Sequence, residues 1–215
     1  MKPAVVIHLK EKSQRLKGKN FKKINNKPLF EITFQKLKKN KDFFDVYIDS
    51  SSSYFENLAN KYKFNFIKRP KRLNRPDAQG NELLEQCVKY INSDIILQLF
   101  VTNPLMKINT LKKIYSKIKK ARVDSVTAIA PIYNRFWFKN KEVNHKYNKL
   151  IGTQFMKPVY VEAGVYCFRK KSFLKEKSRI CKKNLLYQID ELESFDIDNE
   201  LDFIIAEKLL KKFKC

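Results

Sequence analysis

The sequence predicts an α/β domain built on a doubly wound, mostly parallel sheet. Short apolar runs rich in β-branched residues recur along the chain, and segments of about ten residues with helical spacing separate them. Parallel strands need such crossover helices between them. The chain has 215 residues, which suits a single domain over residues 1–215 with a sizeable core.

The strands are expected where the apolar runs lie. The run at 94–100 is the most apolar, so it is expected to be central in the sheet. In parallel sheets the ligand lies beyond the carboxyl ends of the strands, and the loops that follow the runs at 4–9 and 94–100 reach that edge. The expected strands are AVVIHL (4–9), VYID (46–49), FNFI (64–67), DIILQLF (94–100), DSVTAIAP (124–131) and VEAGVYCF (161–168).

Helices are expected between these strands. Pro28 can open the first helix because proline suits the first helical position. Ser53 as N-cap with Glu56 three residues later predicts a capping box for the second. Further helices are expected at 80–90 and 109–120. The end of the chain, residues 195–210, is predicted to be a short strand, an acidic turn and an amphipathic helix.

Residues 132–160 interrupt the alternation of strands and helices. This stretch is aromatic, polar and aperiodic, and it is long for a plain loop in a compact domain. Its aromatic residues favour an interface, because aromatic side chains are enriched in interface cores. We expect an inserted arm or β-hairpin that covers the substrate or forms a homodimer contact, with packing of the aromatics onto their own domain as the alternative.

The formal net charge of +24 raises the question of nucleic-acid binding. Most of the 46 basic residues are lysines, and lysine, asparagine, isoleucine, phenylalanine and tyrosine are all abundant. These residues share A/T-rich codons, and the lysines are spread along the whole chain. Coding-sequence bias is therefore the preferred explanation, and nucleic-acid binding is not expected to be the main role.

The cysteines and histidines show no metal-binding spacing. No C-x-x-C pair occurs, and His8 and His145 stand alone, so a zinc site is not expected. Free thiols in a reducing compartment are the default interpretation of Cys87, Cys167, Cys181 and Cys215. We expect no signal peptide, and no run of about 20 apolar residues is found. We expect a cytoplasmic protein with no membrane segment.

The loop after the first strand carries an unusual load of cations. It contains Lys10, Ser13, Arg15 and Lys19 but neither GxxxxGK[ST] nor GxGxxG. Flexible cations and a hydroxyl at this edge could hold a phosphate chain by charge and hydrogen bonds. A solvated lysine surface is the alternative, and composition alone does not separate the two.

The acidic turn DIDNELD (196–202) stands out in a basic chain. If extended, Asp196 and Asp198 point to the same side, because strand side chains alternate. Two carboxylates on one side suit Mg²⁺ that also contacts substrate phosphates. In the alternative reading Asp198 caps the last helix. Asp202 is assigned to the first turn of that helix, where the helix dipole favours it.

Gly80 and Asn81 open the predicted helix at 80–90. Helix starts bind anions and polar ligands through their free backbone N–H groups. An ordinary helix N-terminus explains these two residues equally well.

Six motifs in order give the chain a resemblance to a known family. They are KEKSQRLKGKN, RPKRLNRPDAQGNELL, TNPL, TQ, VEAGVYCF and DIDNELDF, between residue 4 and about residue 210. Together they resemble the acylneuraminate cytidylyltransferases, also called CMP-sialic acid synthetases. The resemblance implies the Rossmann-like fold of the nucleotide-sugar transferases. It also implies that the protein joins CMP from CTP to a sialic-acid-like or related acidic sugar and releases pyrophosphate.

The resemblance also implies roles for single residues. The phosphates of CTP would be held by Lys10, Ser13, Arg15 and Lys19, with Arg15 and Lys19 also catalytic because they neutralise the leaving pyrophosphate. Asn20 would contact the nucleotide, and Asn81, Thr102 and Asn103 would border the base, ribose or sugar. Gln154 would face the acceptor sugar. The cofactor Mg²⁺ would be held by Asp196 and Asp198.

The chain departs from the family pattern at several positions. Many relatives carry Pro-Arg before TQ, where this chain has Ile151 and Gly152, so the usual arginine partner of a sugar carboxylate is missing. Phe100 replaces a glutamine of the sialic acid enzymes, and His8 replaces a proline. Three other readings follow: a nucleotide-binding homologue without turnover, an enzyme for another keto-sugar acid or an aminoalkylphosphonate, and a basic nucleic-acid-binding protein.

Overall fold

A computed structural model describes residues 1–11, 13 and 15–213 of the chain. Lys12 and Cys215 lie outside the described residues. In chain order the strands are β1 (Ala4–His8), β2 (Lys23–Ile24), β3 (Lys27–Pro28), β4 (Asp45–Ser50), β5 (Asn65–Lys68), β6 (Ile95–Leu99), β7 (Ser125–Ile132), β8 (Trp137–Phe138), β9 (Lys141–Glu142), β10 (Val159–Arg169) and β11 (Asn184–Gln188). The helices are α1 (Leu29–Lys38), α2 (Ser53–Tyr62), α3 (Gly80–Cys87), α4 (Ile108–Lys120), α5 (Lys170–Glu176) and α6 (Glu200–Phe213).

Seven strands form one mostly parallel sheet in the order β11-β7-β10-β6-β1-β4-β5. Strand β10 alone is antiparallel to its neighbours β6 and β7 within this sheet. The chain adds β4 and β5 on one side of β1 and then crosses to place β6 on the other side. This reversal creates a crevice beyond the carboxyl ends of β1 and β6, where open α/β sheets bind ligands. The predicted fold class is confirmed.

The core lies on both faces of the sheet because β1 is buried on both. Val5 and Ile7 belong to the apolar cluster that contains residues of α1, α2 and α4. Ala4 and Val6 belong to a second cluster with residues of α3 and α5. This alternation follows the period of two in a strand. The sheet is therefore covered on both faces, and its carboxyl edge is left for ligands.

A third apolar cluster attaches the basic loop to the end of the chain. Leu16 of that loop packs in one cluster with Ile197 and with Phe203 of α6. All three side chains are buried. Burial of apolar surface is the dominant favourable term in folding, so this cluster fixes the position of the basic loop against the acidic turn.

Several local expectations need correction. The cap of α2 is Ser52, whose hydroxyl accepts the backbone N–H of Tyr54, and Ser53 is already helical. The short strand expected at the start of 195–210 is not formed. Helix α5 and strand β11 were not predicted from the sequence. Strand β11 pairs only with β7 and leaves Leu186 exposed, so it lacks the continuous apolar run of a central strand.

The connection between β7 and β10, residues 133–158, is named the arm here. It contains the hairpin of β8 and β9, whose turn residues Lys139 and Asn140 have positive φ. Trp137, Phe138 and Phe155 of the arm are more than half exposed. The structure does not pack these aromatics onto the rest of the domain.

The cysteine residues that the structure describes form no disulfide bond. Cys87, Cys167 and Cys181 are free and buried. Within the described ranges, none of the helices combines the length and the apolar character that a membrane span needs.

Candidate active site

The basic loop forms one wall of a cleft at the carboxyl end of β1. The cleft has a volume of about 420 Å³. The four loop residues singled out in the sequence line it together: Lys10, Ser13, Arg15 and Lys19. Asn74, in the segment that leads to α3, lines the opposite wall. The loop is therefore folded around a cavity.

Backbone geometry and Asn20 hold this loop in shape. Gly18 adopts a left-handed conformation with φ of 63° and begins a single turn of 3-10 helix, Lys19–Phe21. Asn20 is buried, and its side-chain amide donates a 2.8 Å hydrogen bond to the carbonyl oxygen of Lys10. Asn20 thus ties the two ends of the loop together from inside. Within the described part of the chain, it is not one of the residues that line the cleft.

Asp198 lies against two of the cations of the loop. The guanidinium of Arg15 donates to Asp198 Oδ2. The ammonium of Lys19 lies 3.4 Å from Asp198 Oδ1 and donates a 2.5 Å hydrogen bond to the carbonyl oxygen of Ile197. Lys19 is buried, whereas Arg15 is largely exposed. The carboxylate therefore pairs with two of the four side chains that were expected to bind phosphate.

The start of α6 tests the interpretation of Asp198 as the helix cap. Asn199 Oδ1 accepts the backbone N–H of Asp202, and Asp202 Oδ2 accepts the backbone N–H groups of Asp198 and Asn199. This reciprocal pair is a capping arrangement. The expectation that Asp198 might cap the helix is wrong, because Asn199 does so. Asp202 lies in the first turn as expected.

The oxygen donors of the acidic turn suit a hard cation. Ile197 is fully buried, and the exposed Asp196 and partly exposed Asp198 flank it. Among the described residues, Asp196 makes no side-chain hydrogen bond or ion pair. Two carboxylates next to the cations of the basic loop match the oxygen ligands that Mg²⁺ takes. These residues fit the metal, provided that Asp198 releases Arg15.

The turn after β6 holds the acidic turn and the residues before it by hydrogen bonds. The carbonyl oxygen of Thr102 accepts the backbone N–H of Ile197 at 2.9 Å. The amide of Asn103 donates to the carbonyl oxygens of Ser194 and Phe195, both at 3.3 Å. Thr102 and Asn103, expected to border the base, ribose or sugar, thus position the segment that carries the two aspartates.

A second group of polar residues lies beyond β6 and β10. Arg179 stacks on the ring of Tyr166 at 3.8 Å and donates a 2.8 Å hydrogen bond to Gln98 Oε1. Asn81 accepts the backbone N–H of Arg179 at 3.2 Å. Burial and the hydrogen bond to Glu162 raise the pKa of Tyr166 to about 12. No sequence motif singled out Arg179, since it lies in an unassigned stretch and acts through residues far away in the chain.

A buried ion-pair network lies under the basic loop. Arg69 donates to both the carboxylate and the carbonyl oxygen of Asp49, and His8 Nδ1 lies 2.8 Å from the same carboxylate. Burial opposes ionisation of Asp49, but the hydrogen bonds from His8 and Arg69 hold the pKa of its carboxyl below its usual range. Burial lowers the pKa of His8 despite this contact. Burial, followed by the charge of Arg69, also lowers the pKa of Lys10.

The network includes a possible set of metal ligands that the sequence did not reveal. His8, Asp49 and Cys87 have donor atoms within 4.8 Å of one another. The Arg69 guanidinium already neutralises the Asp49 carboxylate, and burial raises the pKa of the Cys87 thiol. A protonated thiol is a poor ligand. We therefore describe this cluster as an ion-pair network.

Gln154 lies apart from the cleft. It belongs to the 3-10 turn Thr153–Phe155 of the arm and is exposed. Its side chain folds back over Gly152, where an added methyl group would lie 2.6 Å from its amide oxygen. Within the described part of the chain, the structure does not bring Gln154 together with the residues of the basic loop.

Comparison with known proteins connects this site to a family. A family model described as cytidylyltransferase matches residues 4–210. The post-translational flagellin modification protein B of Campylobacter coli is 25% identical over 214 residues, which cover 93% of this chain and 91% of that protein.

Other relatives are longer proteins. One from Helicobacter pylori, named pseudaminic acid cytidylyltransferase and UDP-2,4-diacetamido-2,4,6-trideoxy-beta-L-altropyranose hydrolase, is 26% identical over 100% of this chain and 44% of its own length. An N-acylneuraminate cytidylyltransferase of Escherichia coli is 24% identical over 96% of this chain and 52% of its own length. The chain thus spans about half the length of these two relatives.

Solved structures share the fold. The structure of CMP:2-keto-3-deoxy-manno-octonic acid synthetase complexed with CTP aligns with a TM-score of 0.73 at 12% identity, covering 99% of both chains. The bifunctional IspDF of Campylobacter jejuni aligns with a TM-score of 0.69 at 14% identity, over 95% of this chain and 54% of that one.

Proposed function

The chain belongs to the cytidylyltransferase family, and from this premise we propose that it transfers CMP from CTP to a sialic-acid-like or related sugar acid. Pyrophosphate is the other product. One observation carries the proposal: four phosphate-binding candidates of the basic loop line a single cleft at the topological switch point, and two aspartates lie next to it. Cations and carboxylates at that edge are what a metal-bound triphosphate requires.

In this proposal the basic loop binds the triphosphate. Lys10, Ser13, Arg15 and Lys19 hold the phosphates, and Asn20 keeps the loop closed around them. The anomeric hydroxyl of the sugar attacks the α-phosphate in line while pyrophosphate leaves. Arg15 and Lys19 are catalytic because they neutralise charge on the leaving group. Catalysis then rests on positioning and electrostatic stabilisation.

Asp196 and Asp198 are the proposed ligands of Mg²⁺, which as a Lewis acid would stabilise negative charge on phosphate oxygens. The contact of Asp198 with Arg15 and Lys19 suggests an exchange of partners on binding. Arg15 and Lys19 leave the carboxylate for the phosphates, and the carboxylate is then available to the metal. The free protein thereby avoids an uncompensated cluster of cations, which like-charge repulsion would destabilise.

The acceptor side involves the arm and α3. We place Asn81, Thr102 and Asn103 at the border between nucleotide and sugar, and Gln154 at the sugar. Because Gln154 lies on the exposed arm, this assignment requires the arm to close over a cleft, in the same chain or in a second copy. A homodimer joined through the arms provides such a second copy. Free cysteines and the use of CTP support a cytoplasmic location.

Pyrophosphate release tests the proposed function. The protein is incubated with each of the four ribonucleoside triphosphates and with N-acetylneuraminic acid, pseudaminic acid or 3-deoxy-manno-octulosonate, with and without Mg²⁺. We expect release only with CTP, at least one of the acids and the metal. Release without an acid, or with every triphosphate equally, would contradict the proposal. Tight CTP binding without any release would favour a nucleotide-binding homologue that lacks turnover.

A further inference from the structure

Arg179 is a cation held over β6 and β10, next to the carboxyl end of β6. Its guanidinium stacks on Tyr166 with a distance of 3.8 Å to the ring centroid and donates a 2.8 Å hydrogen bond to Gln98 Oε1. Its backbone N–H is held by Asn81 Oδ1. Contacts with β6 and β10 thus fix the side chain, and the first turn of α3 fixes the backbone of the same residue. Such fixing is typical of a preorganised binding group.

Arg179 has no acidic partner in the described residues. No aspartate or glutamate among them lies within ion-pair distance of its guanidinium, and the side chain is only partly buried. The hydrogen bond to Gln98 and the contact with Tyr166 engage only part of its five N–H donors. A partly buried cation without a counterion favours an anionic ligand.

A second donor lies beside it. Gln98 is fully buried, and its side-chain nitrogen Nε2 has no hydrogen-bond partner among the described residues. A methyl group added at Gly80 would lie 2.5 Å from Arg179 Nη1 and 3.7 Å from Gln98 Nε2. The two donors are therefore neighbours, and the absent side chain of Gly80 leaves room for the guanidinium.

We propose that Arg179 binds the carboxylate of the sugar-acid acceptor, with Gln98 and Tyr166 holding its guanidinium in place. This proposal rests on the proposed function. Ile151 and Gly152, which precede Thr153 and Gln154, provide no cation for the carboxylate. In this proposal Arg179 provides it. A planar guanidinium matches a carboxylate through two parallel N–H···O bonds.

The position of Arg179 distinguishes the acceptor from the triphosphate. The proposed phosphate ligands follow β1, and Arg179 lies over β6 and β10. These two groups occupy the two sides of the crevice at the switch point. A transfer reaction needs its two substrates on opposite sides of the reacting phosphorus, so the acceptor belongs on the Arg179 side.

The test compares Arg179→Ala and Arg179→Lys with Arg122→Ala. Arg122 precedes β7, at the opposite edge of the sheet, and serves as the matched control. For Arg179→Ala we expect the acceptor KM to rise about 10- to 100-fold, the usual effect of losing hydrogen bonds to a charged group, with the CTP KM changed less than about twofold. Arg179→Lys should recover part of the loss, and Arg122→Ala should behave as wild type.

Two further measurements test whether the effect is specific to the carboxylate and to Arg179. The wild type should discriminate strongly between the sugar acid and its carboxamide, and Arg179→Ala should use both poorly and almost equally. Gly80→Ala, which forces Arg179 to move, should raise the acceptor KM alone and add little when combined with Arg179→Ala.

Binding of the three acids is also measured by calorimetry in the presence of CMP, so that the result does not depend on turnover. An unchanged acceptor KM and an unchanged acid affinity in Arg179→Ala would overturn the proposal, as would a wild type that binds none of the acids. A selective rise of the CTP KM would assign Arg179 to the triphosphate and also overturn it. Acid binding that needs Arg179, in a wild type that releases no pyrophosphate, would support this proposal while the proposed function fails.

Discussion

At the scale of single residues, the carboxylate of Asp198 has two proposed roles. It neutralises Arg15 and Lys19 in the free protein and is a proposed metal ligand during the reaction. Asp198→Asn should therefore abolish Mg²⁺-dependent turnover. It should not weaken CTP binding in the presence of EDTA, because it removes a carboxylate that competes with phosphate for the same cations. Pyrophosphate release and calorimetry check the two parts, and near-normal turnover at saturating Mg²⁺ would contradict the metal role.

The cations of the basic loop allow a matched comparison. Arg15→Ala and Lys19→Ala should each weaken CTP binding by about 1.5–3 kcal/mol, the usual range for a hydrogen bond to a charged group. Lys22 is instead paired with Glu200 and lies over the ring of Phe203. Lys22→Ala and Lys23→Ala should change the affinity little. Equal losses in all four variants, measured by calorimetry, would mean that the loop acts only as a diffuse positive surface.

His8 gives the fold a defined dependence on pH. Its pKa is lowered by burial, although it contacts Asp49, with Arg69 and Arg179 also facing it. Below its ordinary value of about 6.5, the unfolded chain takes up a proton that the folded protein does not, so stability falls as pH falls. The ordinary pKa of Asp49 lies lower, and its contribution is lost only in stronger acid.

His8→Gln removes this titration. We expect the free energy of unfolding in urea to fall between pH 7.5 and pH 5.5 in the wild type and to fall less in the variant. The same loss in both proteins would show that His8 does not titrate differently in the folded and unfolded states.

At the scale of elements, the irregularity in β10 supports the site. The register between β10 and β7 shifts between Glu162 and Tyr166, and Gly164 within this bulge has φ of 69°. A methyl group there would lie 2.2 Å from Asn103 Oδ1. Asn103 in turn holds the segment that leads to the aspartates. The bulge thus creates the space in which the turn after β6 can position the acidic turn.

Gly164→Ala should therefore lower the free energy of unfolding by more than backbone strain alone would. Gly18 has a similar φ of 63°, and an added methyl group would meet nothing within 4 Å. Gly18→Ala should destabilise the fold by about 1–2 kcal/mol, the cost of a left-handed L-residue. Gly164→Ala should lose clearly more stability, because Asn103 must also move. Urea unfolding measures the stability of both variants. Equal losses of stability would contradict the proposal that the bulge at Gly164 makes room for Asn103.

The elements that the sequence predicted share a physical cause. β1 and β6 are buried on both faces, so they are predominantly apolar, and that pattern is visible without a structure. β11 and α5 escaped prediction because β11 pairs on one side only and α5 is short and strongly basic. The acidic turn was expected to begin as a strand, but its backbone bonds to the Thr102 turn instead of to a sheet.

At the scale of the whole molecule, the residues proposed for the triphosphate could be singled out in the sequence, whereas Arg179, proposed for the acceptor, could not. The basic loop and the acidic turn are each local in sequence, and their charges mark them. Arg179 depends on contacts with Asn81 and Gln98, which are 98 and 81 residues away. The cap of α6 by Asn199 also needed the structure, since both Asp198 and Asn199 are good capping residues. Such long-range contacts leave no periodic signal.

The arm gives the molecule an apolar surface that the domain does not cover. Trp137, Phe138, Tyr147 and Phe155 are exposed by 57%, 66%, 71% and 76%. Several exposed aromatic residues on one short segment are typical of an interaction site. A second copy of the chain is the occupant that we propose, because it would also carry Gln154 towards a cleft.

We expect the wild type to be a dimer at micromolar concentration, measured by light scattering. Trp137→Ala and Phe138→Ser should each shift the protein towards the monomer, because each removes buried aromatic area from the interface core. Tyr90→Ala is the control, since Tyr90 is 60% exposed but lies in the turn after α3, outside the arm. Gln154→Ala should leave the dimer and the CTP affinity intact and raise the acceptor KM. A monomeric wild type would rule out the interface, and a Gln154→Ala variant that lost CTP and acceptor binding equally would remove Gln154 from the sugar side of the cleft.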